Sequence, residues 1–361
     1  MMQHNPIVRR LGQPDQASSR QDTGKQEVDF DRLGSVRTAN QRLEDARHQP
    51  EIKQLAGVIW QRYETHVLFA DAGLGKSIHG ITLADYVARG KSIAFLEQAG
   101  QDYPKEVLLP NENEPLKTMY YDWELSDKQF EKRYRDNIRN KGHTFSENLF
   151  MDTVDFFELS ELDPRSSIDD LIFAKIEHDI SSRGIQVIVV DNITFLHTQT
   201  TQKTEAALEL MRRLVRLKRK YNVSMLILAH TPKRDNSRPL SLNDLAGSKH
   251  ISNFIDSASA IGRSVMGSDV RYWKQIKPSR SGEERFGEDH VISMRLHKRE
   301  DCFLTFEYLG CDYELNHLEK PKGKDEQREM ARNLKEQGKS LREIEEELGV
   351  PKSTLGRWLK D

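Results

Sequence analysis

Cysteine is nearly absent from this chain: two residues, Cys302 and Cys311, among 361. That excludes a disulfide scaffold, and the lone pair lacks the second pair a zinc site needs, so two reduced thiols of a cytosolic protein are expected. No apolar run approaches the ~20 residues that span a bilayer. The opening "MMQHNPIVRRLGQPDQASSRQDTGKQ" lacks the apolar core of a secretory leader. Excess charge of one sign is missing too: 55 Lys and Arg stand against 57 Asp and Glu. With no global field, any polyanion contact has to come from a local patch.

Composition divides what is there. Residues 1–45 are polar and without sustained periodicity, a flexible arm in which "TANQRLEDARHQ" is a candidate short helix. Over 46–317, apolar β-forming runs alternate with amphipathic helical stretches, which predicts βα units around a mostly parallel sheet. The inner strands are "THVLFA", "KSIAFLEQ", "KTMYYDWE", "QVIVVDNI" and "SMLILAH"; the helices include "SIDDLIFAKIEHDISSRG" and "KTEAALELMRRLVRLKRKYN". Three later runs, "VRYWKQIKP", "HVISMRLHK" and "CFLTFEYLG", predict an antiparallel extension. "NHLEKPKGKDEQRE" reads as a charged linker without core-forming residues, centred on 318–324, before a helical unit over 325–361.

The first chemical signal is "HVLFADAGLGKS", a strand, a glycine turn and the start of a helix. Phosphate binding needs backbone N–H groups converging at a helix N-terminus, a lysine for the β- and γ-phosphates, and a hydroxyl for Mg²⁺. Ala72, Gly73, Leu74, Gly75, Lys76, Ser77 and Ile78 supply that arrangement. The leading glycine of the usual pattern is replaced by Ala70, tolerable if its φ is negative. The expected ligands are ATP and Mg²⁺, the metal held by Ser77 and by Asp191 at the end of "VIVVD".

Glu124 ends the run "TMYYDWE" and is the candidate base for the attacking water, with Asp122 and Glu97 as alternatives. A solvated glutamate at a helix start, with Ser126 as the cap, is the plain structural alternative. His230 closes "LILAH" where a polar strand tip faces a γ-phosphate.

The series "ADAGLGKS", "YYDWELS", "VIVVDN", "LILAHTPKR" and "NDLAGSKHISNFIDSASAI" resembles the RecA-like P-loop ATPases. It is most similar to the branch of plasmid RepA-type replicative helicases and related ATPases of bacterial mobile elements. The resemblance implies a RecA-like fold, Glu124 as catalytic base, His230 as phosphate sensor and a homo-oligomeric ring, a hexamer, in a bacterial cytoplasm. It also implies basic fingers from a neighbouring copy: Lys277 and Arg280, with Lys298 and Arg299 as the fallback. Unlike primase-associated helicases, the chain shows no matching N-terminal domain.

The tail "KSLREIEEELGVPKSTLGRWLKD" resembles the helix-turn-helix of resolvase-like domains, with Ile344, Leu348, Val350, Leu355 and Trp358 as its core. Ser353, Thr354, Arg357 and Lys360 would face DNA, although Glu345 departs from the usual small residue. Lys233, Arg234 and Arg238 in "HTPKRDNSRP" are further candidates for backbone phosphates of a single strand. The expected function is a DNA-associated ATPase of helicase or translocase type. The alternative is a DNA-binding regulator or assembly factor that ATP switches; a small-molecule kinase is disfavoured because no lid is evident.

Overall fold

A computed structural model describes residues 36–94, 108–153, 158, 160–161, 163–192, 203–232, 234–245, 251–280, 282–320 and 323–359. Two units are distinguished, Met1–Glu51 and Ile52–Asp361. In the first, α1 (Ala39–Arg47) starts at a capping box in which Thr38 and Gln41 bond each other's backbone, and it buries no side chain.

In the second unit β1 (Gln54–Ala56) pairs with β2 (Trp60–Gln61), and β3 (Thr65–Ala70) leads through the glycine turn to α2 (Lys76–Arg89). β4 (Ile93–Ala94) pairs with β5 (Leu108–Leu109). Next come β6 (Thr118–Asp122), α3 (Asp127–Tyr134), the ribbon of β7 (Arg135–Asp136) and β8 (Lys141–Gly142), and β9 (Leu149–Asp152). α4 (Ile168–Arg183), β10 (Val187–Asp191), α5 (Lys203–Tyr221) and β11 (Ser224–His230) follow. β12 (Ser257–Arg263), β13 (Val270–Lys277), β14 (Val291–Lys298) and β15 (Leu304–Asp312) complete the sheet. Three helices end the described chain: α6 (Lys324–Glu336), α7 (Leu341–Leu348) and α8 (Lys352–Trp358).

Nine strands form one sheet in the order β15-β14-β13-β12-β3-β11-β10-β6-β9. Neighbours from β12 to β9 are parallel, and β13, β14 and β15 extend the sheet antiparallel. The inner strands are apolar on both faces because both are covered. Leu68, Leu226, Leu228, Val187 and Val189 pack against α2 on one face. Val67, Phe69, Ile188, Val190 and Ile227 pack against α4 and α5 on the other, where Phe173, Ile176, Met211 and Leu214 meet them. Burying each such side chain contributes about 1.5–3 kcal/mol. Among the described residues no helix is long and apolar enough to cross a membrane.

Two strands of this sheet lie outside the sequence reading, as do the short β1, β2, β5, β7 and β8, and the expected inner strand "KSIAFLEQ" is corrected: its described part, β4, pairs antiparallel with β5 outside the nine-stranded sheet. β12 is rich in Ser, Ala and Gly, which carry little β-propensity. Its small side chains are required, because Ser257 and Ser259 hold the ring of His66 at 2.9 and 2.8 Å. A side chain at Gly262 would strike the ring of Tyr272. The edge strand β9 is four residues long and only half-buried, too short for an alternation signal. The reading of the segment after β15 as free of core residues is corrected: His317 and Leu318 are buried, and both imidazole nitrogens of His317 bond serines, Ser264 at 2.8 Å and Ser293 at 3.1 Å.

Met330, Ala331, Leu334, Ile344, Leu348, Val350, Leu355 and Trp358 of the tail form a core of their own, and Leu315 packs against it. Glu345, the unexpected acid between the helices, accepts from the Lys352 backbone at 3.0 Å and so satisfies the start of α8.

A candidate ATPase site at the carboxyl edge of the sheet

Parallel pairing brings the strand ends together. Ala70 is in register with His230, and Asp191 with Asp122 and Leu228, so the end of β3 and the polar ends of β11, β10 and β6 share one edge. Such an edge is where open α/β sheets bind ligands. Ala70 is fully buried, is not among the residues with positive φ, and accepts a bond from Thr231 N at 3.1 Å. It closes β3, which coincides with the run "THVLFA", and α2 begins at Lys76.

The turn needs its glycines. Gly73 has φ +76° and Gly75 φ +91°, a region L side chains rarely adopt. A Cβ on Gly75 would lie 2.5 Å from Phe306 Cζ, so backbone and ring already touch. Asp71, Ala72, Gly73, Leu74, Gly75, Lys76, Ser77 and Ile78 border a cleft of about 250 Å³ whose far wall holds Glu124, Arg133, His230, Arg271, Leu296 and Phe306.

Lys76 Nζ stands 3.4 Å from Asp191 Oδ1, the two side chains 5% and 1% exposed. Tyr120 donates its hydroxyl to Asp191 Oδ2 at 2.8 Å, and burial beside that carboxylate pushes the phenol well above its ordinary range. The Asp191 carboxylate thus sits between a lysine amine and a phenol hydroxyl at the base of the cleft. The oxygens of Ser77 and Asp191 are hard donors suited to Mg²⁺, which is otherwise held by substrate phosphates and water. No cluster of three or more His, Cys, Asp or Glu side chains that could hold a metal ion occurs among the described residues. The glycine cradle and this donor set fit a nucleotide with its cation.

Glu124 is aimed by its neighbours. Trp123 N donates to Asp191 O at 3.0 Å, prolonging the β6–β10 pairing. Asp122 Oδ1 accepts from Glu124 N and Leu125 N, both at 3.0 Å, a local turn that uses Asp122 structurally. Burial, chiefly, raises the Asp122 carboxyl. Asn192 then bridges the wall: its amide nitrogen donates to Glu124 Oε1 and stands 2.9 Å from His230 Nε2. His230 Nε2 and Glu124 Oε1 are 3.3 Å apart. Glu97, the other alternative base, lies outside the described residues.

Sequence reasoning passed over Asn192, Tyr120, Arg133 and Arg271. Asn192 and Tyr120 sat inside the quoted motifs, one residue from Asp191 and two from Asp122. Nothing local distinguished Arg133 in α3 or Arg271 at the start of β13; only topology puts them on the cleft. Burial, with Arg263 nearby, lowers the Arg271 guanidinium from its ordinary range.

Lys277 and Arg280 are not brought to this cleft. Antiparallel β13 carries Lys277 to the opposite edge, in register with Ala258, which itself pairs with Val67. The Lys277 amine donates to Ser252 O at 3.0 Å and Ile255 O at 2.7 Å, while Arg280 pairs with Asp256 at 2.9 Å and keeps 70% of its side chain exposed. Arg234, expected to face DNA, keeps 8% of its side chain exposed, stands 3.6 Å from Asp244 and donates to Arg238 O. Lys233 and Lys360 lie outside the described residues. On α8, Ser353 and Arg357 are exposed and Thr354 is half-buried.

No curated protein matches the chain. The model of the AAA domain family matches residues 33–236, more than half of the 361. That span carries the glycine turn, Glu124, Asp191 and His230, and the chain belongs to this family of P-loop ATPase-type domains.

Proposed function

We propose that the chain hydrolyses ATP and couples turnover to DNA as a RecA-like motor of helicase or translocase type, assembled as a homo-oligomeric, hexameric ring and serving the replication or transfer of a plasmid or other mobile element. The observation that carries this reading is the Glu124–Asn192–His230 bridge across the mouth of the P-loop cleft. Such a bridge holds a carboxylate ready to take a proton from water attacking the γ-phosphate, and makes the His230 strand tip sensitive to the same event. Lys76 neutralises the β- and γ-phosphates, with Ser77 and Asp191 as ligands of Mg²⁺, which supplies charge neutralisation when bound. Arg133 and Arg271 line the cleft as further anion partners. Arg280, with its exposed guanidinium, is the better candidate to reach a neighbouring copy's site, since the Lys277 amine is committed to two carbonyls.

A second reading draws on the tail. Exposed Ser353 and Arg357 on α8, above a closed core, suit a duplex-binding module, in which case ATP switches a DNA-binding regulator. Turnover measured without DNA, with single strands and with duplex separates the two. A motor is stimulated by single strands. A switch answers to duplex alone or to neither. Glu124→Gln should keep ATP binding and lose turnover by about 10²–10⁴-fold; normal hydrolysis by that variant would remove Glu124 from the mechanism.

A further inference from the structure

A second cleft, larger than the first at about 660 Å³, opens between α3 with the β7–β8 ribbon on one side and the β14–β15 turn on the other. It is lined by exposed Lys132, Arg135, Arg139, Lys141 and Lys298, together with Lys128 and Arg299, against three acids. Two of the acids are engaged: Glu131 pairs with Lys128 at 2.7 Å and Asp136 with Arg139 at 3.6 Å. Arg299 pairs with Asp301 at 3.1 Å, outside the cleft lining. Lys132, Arg135, Lys141 and Lys298 have no carboxylate within ion-pair distance among the described residues. In a chain with net charge −2, this concentration of unpaired cations is a local positive field.

The cleft is also built. Lys298 Nζ donates to Arg135 O at 3.2 Å and Cys302 Sγ to Lys141 O at 3.5 Å, which clamps the two walls together. His143 meets Asp301 at 3.0 Å behind them. At the tip of the β7–β8 ribbon Asp136 Oδ1 accepts from Ile138 N and Arg139 N at 3.0 and 3.1 Å, fixing the turn. That turn holds Ile138 outward, 98% exposed. Among the described residues, this apolar side chain at a basic rim is covered by nothing.

We propose that this cleft holds the sugar–phosphate backbone of single-stranded nucleic acid, with Ile138 pressed against an unstacked base. The inference rests on the reading of nucleic acid as partner and adds a site that neither the tail nor the loop after β11 provides. A single phosphate would leave most of a 660 Å³ cleft and its spread of cations unused. A chain of phosphates engages cations from several elements, and an exposed apolar tip reaches a base face without the cost of unstacking a duplex where the bases are already free of one. Lys132 and Arg133 are adjacent on α3 and line different clefts, the first this one and the second the P-loop cleft. One short helix therefore joins strand contact to nucleotide contact.

The test uses the full chain and a fluorescein-labelled oligothymidylate, with anisotropy followed between roughly 50 and 200 mM salt. Lys132→Ala/Lys141→Ala should weaken binding roughly tenfold and flatten the salt slope by about 1.4, at ~0.7 per lost phosphate contact. Arg135→Ala, on a different element, should flatten it by about 0.7. Ile138→Ala should weaken binding with the slope unchanged. In all three, DNA-free turnover and melting temperature should match the unsubstituted chain. Variants that bind with unchanged affinity and slope, while the unsubstituted chain binds, overturn the cleft alone. No salt-dependent binding by the unsubstituted chain overturns the nucleic-acid reading and the cleft with it. Loss of self-association at unchanged oligonucleotide affinity marks a contact between copies instead and also overturns the proposal.

Discussion

Gly75 shows how far a single position constrains the site. Its φ of +91° excludes ordinary side chains, and its Cβ would enter the Phe306 ring at 2.5 Å. Gly75→Ala is therefore expected to cost about 1–3 kcal/mol locally and to move N–H groups that face the phosphates. Titration with a fluorescent ATP analogue should show affinity falling by roughly 5- to 150-fold. Combining it with Phe306→Ala should recover part of the loss; no recovery would put the damage in backbone strain alone. Ala70→Gly, which restores the usual leading glycine, should change affinity less than about threefold, because Ala70 is already in an extended strand with no demand for positive φ. At this scale Lys76, Asp191 and His230 were legible because each opens a helix or ends a strand, and Glu124 because it follows the end of β6 by two residues. Arg133 and Arg271 were not, because their relevance comes from where a helix and an antiparallel strand happen to run.

Among the elements, legibility followed apolar content. The buried strands β3, β6, β10 and β11 announced themselves as near-continuous apolar runs, and α5 by its periodicity. β12 stayed silent because its role in the sheet requires serine, alanine and glycine. The tail was legible for the opposite reason: its core positions are spaced with no ambiguity, and a capping box opens α7 at Ser340. This yields a prediction for the tail as an element. Leu355 is fully buried in a core of few large side chains. Leu355→Ala should cost about 2–5 kcal/mol, comparable to what so small a core supplies. Hydrogen exchange should then lose protection over 324–359 while DNA-free ATP turnover is kept. Loss of turnover would mean that the tail supports the ATPase fold.

For the whole molecule, the buried histidines couple folding to pH. Burial is the main reason that the imidazole of His66 is lowered to about 3 and that of His79 to about 4, from 6.5 when unfolded. Both are enclosed, His66 between Ser257 and Ser259 and His79 against the rings of Trp273 and Phe306. Below pH 6.5 the unfolded chain takes up protons that the native chain refuses, so their contribution is present at neutral pH and lost on acidification towards pH 4. The raised carboxyls of Glu64, Asp71, Asp122 and Glu314 act in the opposite sense, since the native state holds protons there that the unfolded state has released. A comparison of two proteins that share those carboxyls isolates one histidine. Each proton bound only by the unfolded state changes stability by about 1.4 kcal/mol per pH unit. Urea unfolding between pH 7 and pH 4.5 should accordingly give His79→Leu a pH dependence shallower by up to about 1.4 kcal/mol per unit, with the two curves converging on acidification if the leucine packs less well at neutral pH. Parallel curves across that window would mean that His79 takes up its proton in the native state, and that the sheet face under α2 admits a charge which its burial against Trp273 and Phe306 argues it should exclude.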